Sequence, residues 1–559
     1  MKKTRMAAIL SLSFLTIQAA HSAQYRVVKL PIADLGKSSF PSAINNSGDV
    51  AVNLQSAYNP PIDVDLIDWD SSSIITNLTN AEAAESGDFN VNDYSYLYSY
   101  ITANAESLFF QQIANYNAYI VTDDSADQVP GFDTVDAVTR DYTNSATTQI
   151  KSINDYGYAV GISQDGFYKI DYTNQSSEDL IYVVNDFYSR AFVQIGNKTV
   201  GLPPPDTTAG GLSAAYDINA NNQIVGVGTT KTAESLQSSI DECADIDLRG
   251  DKPQAACLRS LSISLNSNVS EVSQLRGILW QIDDKGNVTD TYSLGMLITP
   301  DSTDSAIYSS TAVAINDYGI AVGQSPDYYL DTTSATTSAA IYINGNVKTI
   351  NTSEDIYSST AKDINNNNLV VGYASKVIDG SAINRFFVHD IDADLTTYPN
   401  GFFNTSASVA TGINNQGMVV GYAEAEATIG TRRNEGFIYD YQNNIFNGLN
   451  SLLECNSPYS IVQANAINED GEIAATAIVK GPARNITGEI ALDSQNAETE
   501  TDYVVAVKLV PIVGGSVDNC DAYVEKEVRQ GASMSWLLML GLVGIFFRAA
   551  RGKLKVMRA

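Results

Sequence analysis

The chain has 559 residues, with 64 Asp plus Glu against 33 Lys plus Arg and a formal net charge of −31. A field of that sign repels nucleic acid and anionic lipid, which excludes both as partners of the folded part. Two His and four Cys with no Cys-x-x-Cys spacing exclude a His-rich zinc site.

From the N-terminus, Lys2, Lys3 and Arg5 precede an apolar run from Met6 to about Ala20 and then the small residues Ser22 and Ala23. This is the pattern of a secretory signal peptide over residues 1–23. In an exported chain four cysteines imply disulfides, and four allow three connectivities. The expected pairs are Cys243 with Cys257 and Cys455 with Cys520.

Beyond the signal, one nonapeptide recurs seven times, most cleanly as Ile413-Asn414-Asn415-Gln416-Gly417-Met418-Val419-Val420-Gly421. Its Ile-Asn pair stands at Ile44, Ile153, Ile218, Ile315, Ile364, Ile413 and Ile467. Four residues on come Gly48, Gly157, Asn222, Gly319, Asn368, Gly417 and Gly471. Gly and Asn enter the left-handed region at least cost, so each copy predicts a tight turn with one positive φ. Apolar pairs follow, as in Val419-Val420, and predict a hairpin with both arms as strands. Gly161, Gly226, Gly323, Gly372 and Gly421 come next in the five inner copies, where a missing side chain implies close approach of another backbone. Val52 and Ala475 stand there in the end copies.

Third strands follow around Phe192, Trp280, Ile341, Phe387 and Phe437, and fourth strands follow turns such as Asn344-Gly345-Asn346. Four strands per unit of about fifty residues is the signature of a propeller blade. The repeat covers residues 24–512. The anchors from Ile315 to Ile467 set the unit, and the wider gaps before Ile315 must hold insertions or degenerate copies. One insertion falls at 229–275, a long loop stapled by Cys243 and Cys257. The gap between Ile44 and Ile153 leaves room for an eighth unit near Ile101-Thr102-Ala103-Asn104. In that gap Tyr94, Tyr96, Tyr98 and Tyr100 alternate with other residues, which puts four rings on one face of a strand, to stack on sugars or to cover a neighbouring sheet.

Asp390, Asp392 and Asp394 alternate like the start of a calcium loop, but Leu395 and Gly401 stand where that loop needs Gly and Glu, so Ca2+ competes with an acidic turn. His389 beside them has no Gly-x-Ser-x-Gly elbow to serve, and a strand histidine is most simply structural. Similar strands at 25–32 and 503–512 suggest that the ends pair and close a ring. After a linker at 513–530, the uncharged stretch from Gly531 to Phe547 runs into Arg548, Arg551, Lys553, Lys555 and Arg558. As a helix it is roughly 25 Å long, near the lower limit for spanning a bilayer, and its basic end would stay in the cytoplasm.

The Ile-Asn-x-x-Gly-x-Val-Val-Gly unit, followed by an aromatic strand, resembles the HAF family of bacterial extracellular repeats. That family usually has His at the start of the third strand, where this chain has Arg190, Arg276 and Arg385. The tail at 531–559 resembles the GlyGly-CTERM sorting signal, read by the intramembrane protease rhombosortase, with Gly531, Ala532 and Ser533 at the processing position and Ala532 replacing the second Gly. Signal, repeats and tail together resemble an uncharacterised family of exported Gram-negative proteins.

The sequence thus predicts an all-β propeller of seven four-stranded blades, or eight, followed by one transmembrane helix in the tail. The resemblance implies a precursor anchored in the inner membrane and then passed to the outer membrane surface or the medium. The expected role is a binding or interaction module for an envelope protein or glycan. The alternatives are a glycan lyase or hydrolase on the same scaffold and a structural surface protein without ligand. No cofactor is expected apart from the Ca2+ reading.

Overall fold

The computed structural model describes residues 24–517 apart from 138, 301–305, 331, 333, 351–352, 428–429 and 431. The predicted signal peptide, Cys520, the processing residues Gly531, Ala532 and Ser533, and the predicted transmembrane helix lie outside the described residues. Among the described residues no helix is long and apolar enough to cross a membrane.

Seven four-stranded antiparallel sheets form the blades of a propeller, so the count is seven. Their innermost strands are Gly36–Ile44, Thr148–Ile153, Ser213–Ile218, Thr311–Ile315, Ile356–Ile364, Ser408–Ile413 and Ser460–Ile467, each ending on a repeat isoleucine. The seven isoleucines are only 5–9 % exposed. Each is worth roughly 1.5–3 kcal/mol of burial. All seven turn positions have positive φ, from 59° at Asn222 and Asn368 to 81° at Gly48. In the seventh blade Ser460–Ile467, Ile473–Pro482 and Glu500–Pro511 are completed by Tyr25–Lys29, with Tyr25 opposite Pro511 and Lys29 opposite Val507. The ends therefore pair as expected, and the ring closes on its own first strand.

Every inner strand carries a register shift that leaves one extra residue two places before the isoleucine: Ser42, Lys151, Tyr216, Val313, Lys362, Thr411 and Asn465. In the five inner copies the backbone of the inner strand also lies close against the glycine of the second strand. A Cβ on Gly421 would lie 2.0 Å from the Val409 carbonyl oxygen, and one on Gly226 1.9 Å from that of Ala214. The expected close approach is thus to the inner-strand carbonyl four residues before the repeat isoleucine.

The residues between Ile44 and Ile153 hold no eighth blade. Residues 58–115 are inserted between the second and third strands of the first blade, Val50–Ala57 and Tyr116–Val121, and include the helix Val91–Ala103. The tyrosines expected on a strand lie on this helix. Asn90 caps it by accepting from the Asn92 and Asp93 amides, and Tyr94, Leu97 and Ile101 form a buried stripe at helical spacing. An alternating run short of β-branched residues after a capping Asn follows the helical period when a neighbouring surface rewards it. The expected loop at 229–275 is also helical. The strands Gln223–Thr232 and Ser273–Ile282 reach into it, and Glu234–Ala244 and Gln254–Ser267 carry the Cys243–Cys257 disulfide, with Cα atoms 5.6 Å apart.

A third insertion, the hairpin Tyr168–Thr173 and Asp179–Val184, occupies the same second-to-third-strand connection of the second blade. The three insertions pack together. Phe109 lies 4.7 Å from Tyr182 between ring centroids, Val183 N donates to Leu108 O, the buried Arg259 donates to Val183 O, and Tyr172 donates to Asp251. Because blade strands are antiparallel, this cap stands at the end of the channel opposite the repeat turns.

Candidate functional site

The seven inner strands enclose a central channel of about 340 Å³. At its turn end the seven repeat asparagines form a closed cycle of hydrogen bonds. Asn45 Nδ2 donates to Asn154 O, Asn154 to Asn219 O, Asn219 to Asn316 O, Asn316 to Asn365 O, Asn365 to Asn414 O, Asn414 to Asn468 O, and Asn468 back to Asn45 O, at 2.9–3.4 Å. Each Oδ1 meanwhile accepts from the backbone amide four residues on, as Met418 N gives to Asn414 at 3.0 Å. One amide side chain therefore shapes its own turn and fastens the next blade.

The residue after each Asn forms a second cycle. Asp155 accepts from Asn46 N, Asp317 from Ala220 N, Asn366 from Asp317 N, Asn415 from Asn366 N, Glu469 from Asn415 N and Asn46 from Glu469 N. Ala220 has no acceptor to offer Asp155 N, so this cycle is open at the third blade. Burial raises the Glu469 carboxyl, with the Asp155 and Asp470 charges adding to the rise.

Deeper in the channel Asp217 and Asp363 precede the repeat isoleucines. Asp217 accepts from Ile218 N at 2.9 Å, Ser152 Oγ at 2.7 Å and Ile315 N of the next blade at 2.9 Å. Asp363 accepts from Ile364 N at 2.8 Å and from Ile413 N of the next blade at 2.9 Å. Burial pushes the Asp363 carboxyl up to about 7, helped by the Asp217 charge and opposed by those two amides. Asp217 is raised too, again chiefly by burial. Lys151 donates to Gln149 at 2.7 Å and is lowered by burial, while Lys362 lies 5.9 Å from the Tyr373 ring centroid. A carboxyl near neutral is the raw material of a general acid, but both oxygens of each Asp already hold backbone amides. Their present use is to latch neighbouring inner strands.

The residues picked out from the sequence do not converge on the channel. Tyr94 is buried in the first insertion and donates to Pro60 O at 2.5 Å, Tyr96 donates to Ser73 O and stacks on Tyr100 with centroids 6.4 Å apart, and Tyr98 is half-buried. Asp390 accepts from Asp392 N and Ala393 N, Asp392 accepts from Asn368 Nδ2, and Asp394 takes a φ of 50°, which together make a tight acidic turn. Among the described residues no three His, Cys, Asp or Glu side chains gather as a metal site. His389 is buried, bonds Thr396 Oγ1 through Nδ1 at 2.9 Å and is lowered by burial. Cys455 is disulfide-bonded, and its expected partner Cys520 lies outside the described residues.

Arg190 at the start of its third strand, and Arg276 and Arg385 within theirs, each donate to a carbonyl of the linker to the next blade: Gly210, Tyr308 and Asn404. Burial lowers all three guanidiniums. The sequence reading missed the asparagine cycle, although its signal was present: the residue after the isoleucine is Asn in all seven copies, and the turn alone does not demand that.

No curated protein matches the chain in sequence. Among solved structures it is similar to the β-propeller domain of the Trilobed protease from Pyrococcus furiosus, at 10 % identity and a TM-score of 0.34 over 84 % of this chain and 96 % of that one. It is also similar to the Pyrococcus horikoshii acylaminoacyl peptidase, at 11 % identity and a TM-score of 0.35 over 86 % and 54 %. TolB from Acinetobacter baumannii matches at 8 % identity and a TM-score of 0.27 over 89 % and 98 %. A family model matches residues 4–548, almost the whole length, and the chain belongs to the family described as "Protein of unknown function (DUF3466)".

Proposed function

We propose that this chain is an exported cell-envelope protein whose seven-bladed propeller is a binding or interaction module for an envelope glycan or protein. The observation that carries the reading is the engagement of Asp217 and Asp363: the channel acids with raised pKa values are bound to backbone amides of the next blade. That leaves a rigid, polar scaffold whose faces are free to bind. Export rests on the signal-like residues 1–23, and sorting on the tail at 531–559 with a protease of the rhombosortase type acting near Gly531, Ala532 and Ser533. Screening the purified chain against envelope glycans and proteins tests the role; saturable binding without turnover is expected. Mass spectrometry of envelope and secreted fractions tests sorting, and intact peptides from Val556 onwards in most of the mature protein would refute processing.

One observation favours a second reading, a glycan lyase or hydrolase: the Asp363 carboxyl at about 7 is suited to donate a proton at neutral pH. Under that reading Asp363→Asn abolishes turnover of an envelope glycan. Under the binding reading there is no turnover to lose.

A further inference from the structure

We infer that the central channel holds a small dicarboxylate between Lys151 and Lys362. The site goes beyond the reading of the propeller as a module for a glycan or protein partner, and it would stand with no such partner. The channel volume of about 340 Å³ falls within the range of about 300–1,000 Å³ usual for small-molecule sites, and every residue lining it is among the described residues.

Lys151, Tyr216 and Lys362 are bulge residues two places before a repeat isoleucine, so they stand at one level of the channel. The other polar residues of that level are bound to protein. Ser42 Oγ donates to Ile150 O at 2.9 Å, Thr411 Oγ1 donates to Ala464 O at 2.7 Å, and Asn465 Oδ1 accepts from Thr476 Oγ1 at 3.0 Å. The two lysines are not neutralised. Lys151 Nζ donates to the uncharged Gln149 side chain, Lys362 Nζ faces the Tyr373 ring, and neither joins an ion pair among the described residues. Tyr216, on the blade next to Lys151, is half-buried, and its hydroxyl is kept protonated by burial and bonds no group among the described residues.

An unpaired lysine is ordinary in bulk water, but inside a channel an ammonium without a counter-charge is costly, and burial lowers Lys151 for that reason. Lys362 is exposed and Lys151 half-buried, so both can be reached from solvent. Asp217 and Asp363 lie near but hold backbone amides, and burial raises both carboxyls, so they offer less than a full counter-charge. The inner strands run from the cap end to the turn end. Gln149 stands two residues before Lys151, and Tyr373 pairs with Thr360, two residues before Lys362, so both ammonium groups lean towards the cap end. Asp155, Asp317 and Glu469 ring the turn end instead. One level of the channel is therefore basic within an acidic chain, and it selects an anion. The second and fifth blades stand three apart in a ring of seven, on opposite walls. A ligand with a carboxylate at each end meets both ammonium groups, whereas a monoanion meets one. The Tyr216 hydroxyl supplies a further donor.

The test is calorimetric titration of the full chain at low ionic strength with succinate and glutarate, beside acetate, inorganic phosphate and sulfate. The dicarboxylates are expected to bind. Lys151→Met and Lys362→Met are each expected to weaken that binding about tenfold or more, with the melting temperature little changed. Tyr216→Phe should weaken it by less. Lys348→Met, on the outer strand Asn346–Thr349 of the fourth blade, removes the same charge outside the channel and should bind like the unmodified chain. Unaltered affinity in both channel-lysine variants would overturn the site. Acetate bound as tightly as either dicarboxylate would show that the two lysines do not act together, and phosphate or sulfate bound more tightly would overturn the carboxylate class. No binding of any probe would overturn the inference and leave the envelope binding role standing, because that role fails only if no glycan or protein binds.

Discussion

Removing the side chain of one repeat asparagine cuts two hydrogen bonds at once, one buried and one partly buried. In Asn414→Ala, Asn468 O loses its donor and Met418 N its acceptor, so a loss of about 2–4 kcal/mol is expected in denaturant unfolding, against less than about 0.5 kcal/mol for the neighbouring Gln416→Ala. The glycines separate into two kinds. Gly417 has positive φ with its nearest neighbour at 3.8 Å, so Gly417→Ala costs mainly backbone strain, about 1–2 kcal/mol. Gly421→Ala must displace the Val409 carbonyl and is expected to cost about 3 kcal/mol or more. A larger loss for Gly417→Ala than for Gly421→Ala would contradict the close Val409 carbonyl as the reason for that glycine. Asp363 makes a pH prediction. Its folded carboxyl keeps the proton up to about 7, whereas the unfolded one releases it near 3.8. The folded state binds more protons across that window, so this group's contribution to stability falls as pH rises through it. The melting temperature of the unmodified chain should therefore drop more steeply over that range than that of Asp363→Asn; parallel curves would refute the assignment.

At the scale of elements, the three insertions pack on one another and, through Leu212, on the linker before the third blade. The Cys243–Cys257 bridge closes a loop of 14 residues, for which chain entropy predicts about 3 kcal/mol. Its helices bury only small clusters, such as Leu212 with Leu236 and Leu265. Replacing both cysteines by serine is therefore expected to unfold the cap locally. In hydrogen exchange, protection should fall over Glu234–Ala244, Gln254–Ser267 and the contacting hairpin Asp179–Val184, while Ser408–Ile413 and Met418–Glu424 stay protected. Uniform loss across all blades would show that the cap is integral to the ring.

For the whole molecule, closure is the decisive contact. Without Tyr25–Lys29, the last strand Glu500–Pro511 presents an unpaired edge beside a core that includes Val505, Val507 and Leu509. A chain beginning after Lys29 is expected to melt at lower temperature and to associate through that edge, as light scattering would register. A monomer of unchanged stability would mean that the two hydrogen-bonded cycles hold the ring without the closing strand.

Local rules sufficed for the repeat. Gly or Asn at Gly48 through Gly471 is a matter of φ alone, Ile44 through Ile467 report burial by their spacing, and the blade plan and the pairing of the chain ends follow from regular strands that must cover their edges. The helix at Val91–Ala103, the helical insertion at Glu234–Ala244 and Gln254–Ser267, and the filling of the gap before Ile153 without a blade were decided by tertiary contact. A short segment takes whichever period its neighbours reward: for Val91–Ala103 they are Ile67, Ile74 and Ala84 of the same insertion, and for Leu236 and Leu265 they include Leu212. The asparagine cycle and the latches of Asp217 and Asp363 join residues tens to hundreds of positions apart. The order of residues along the chain carries each partner, and the packing of each blade on the next, with ring closure for Asn468 and Asn45, sets them within hydrogen-bonding distance.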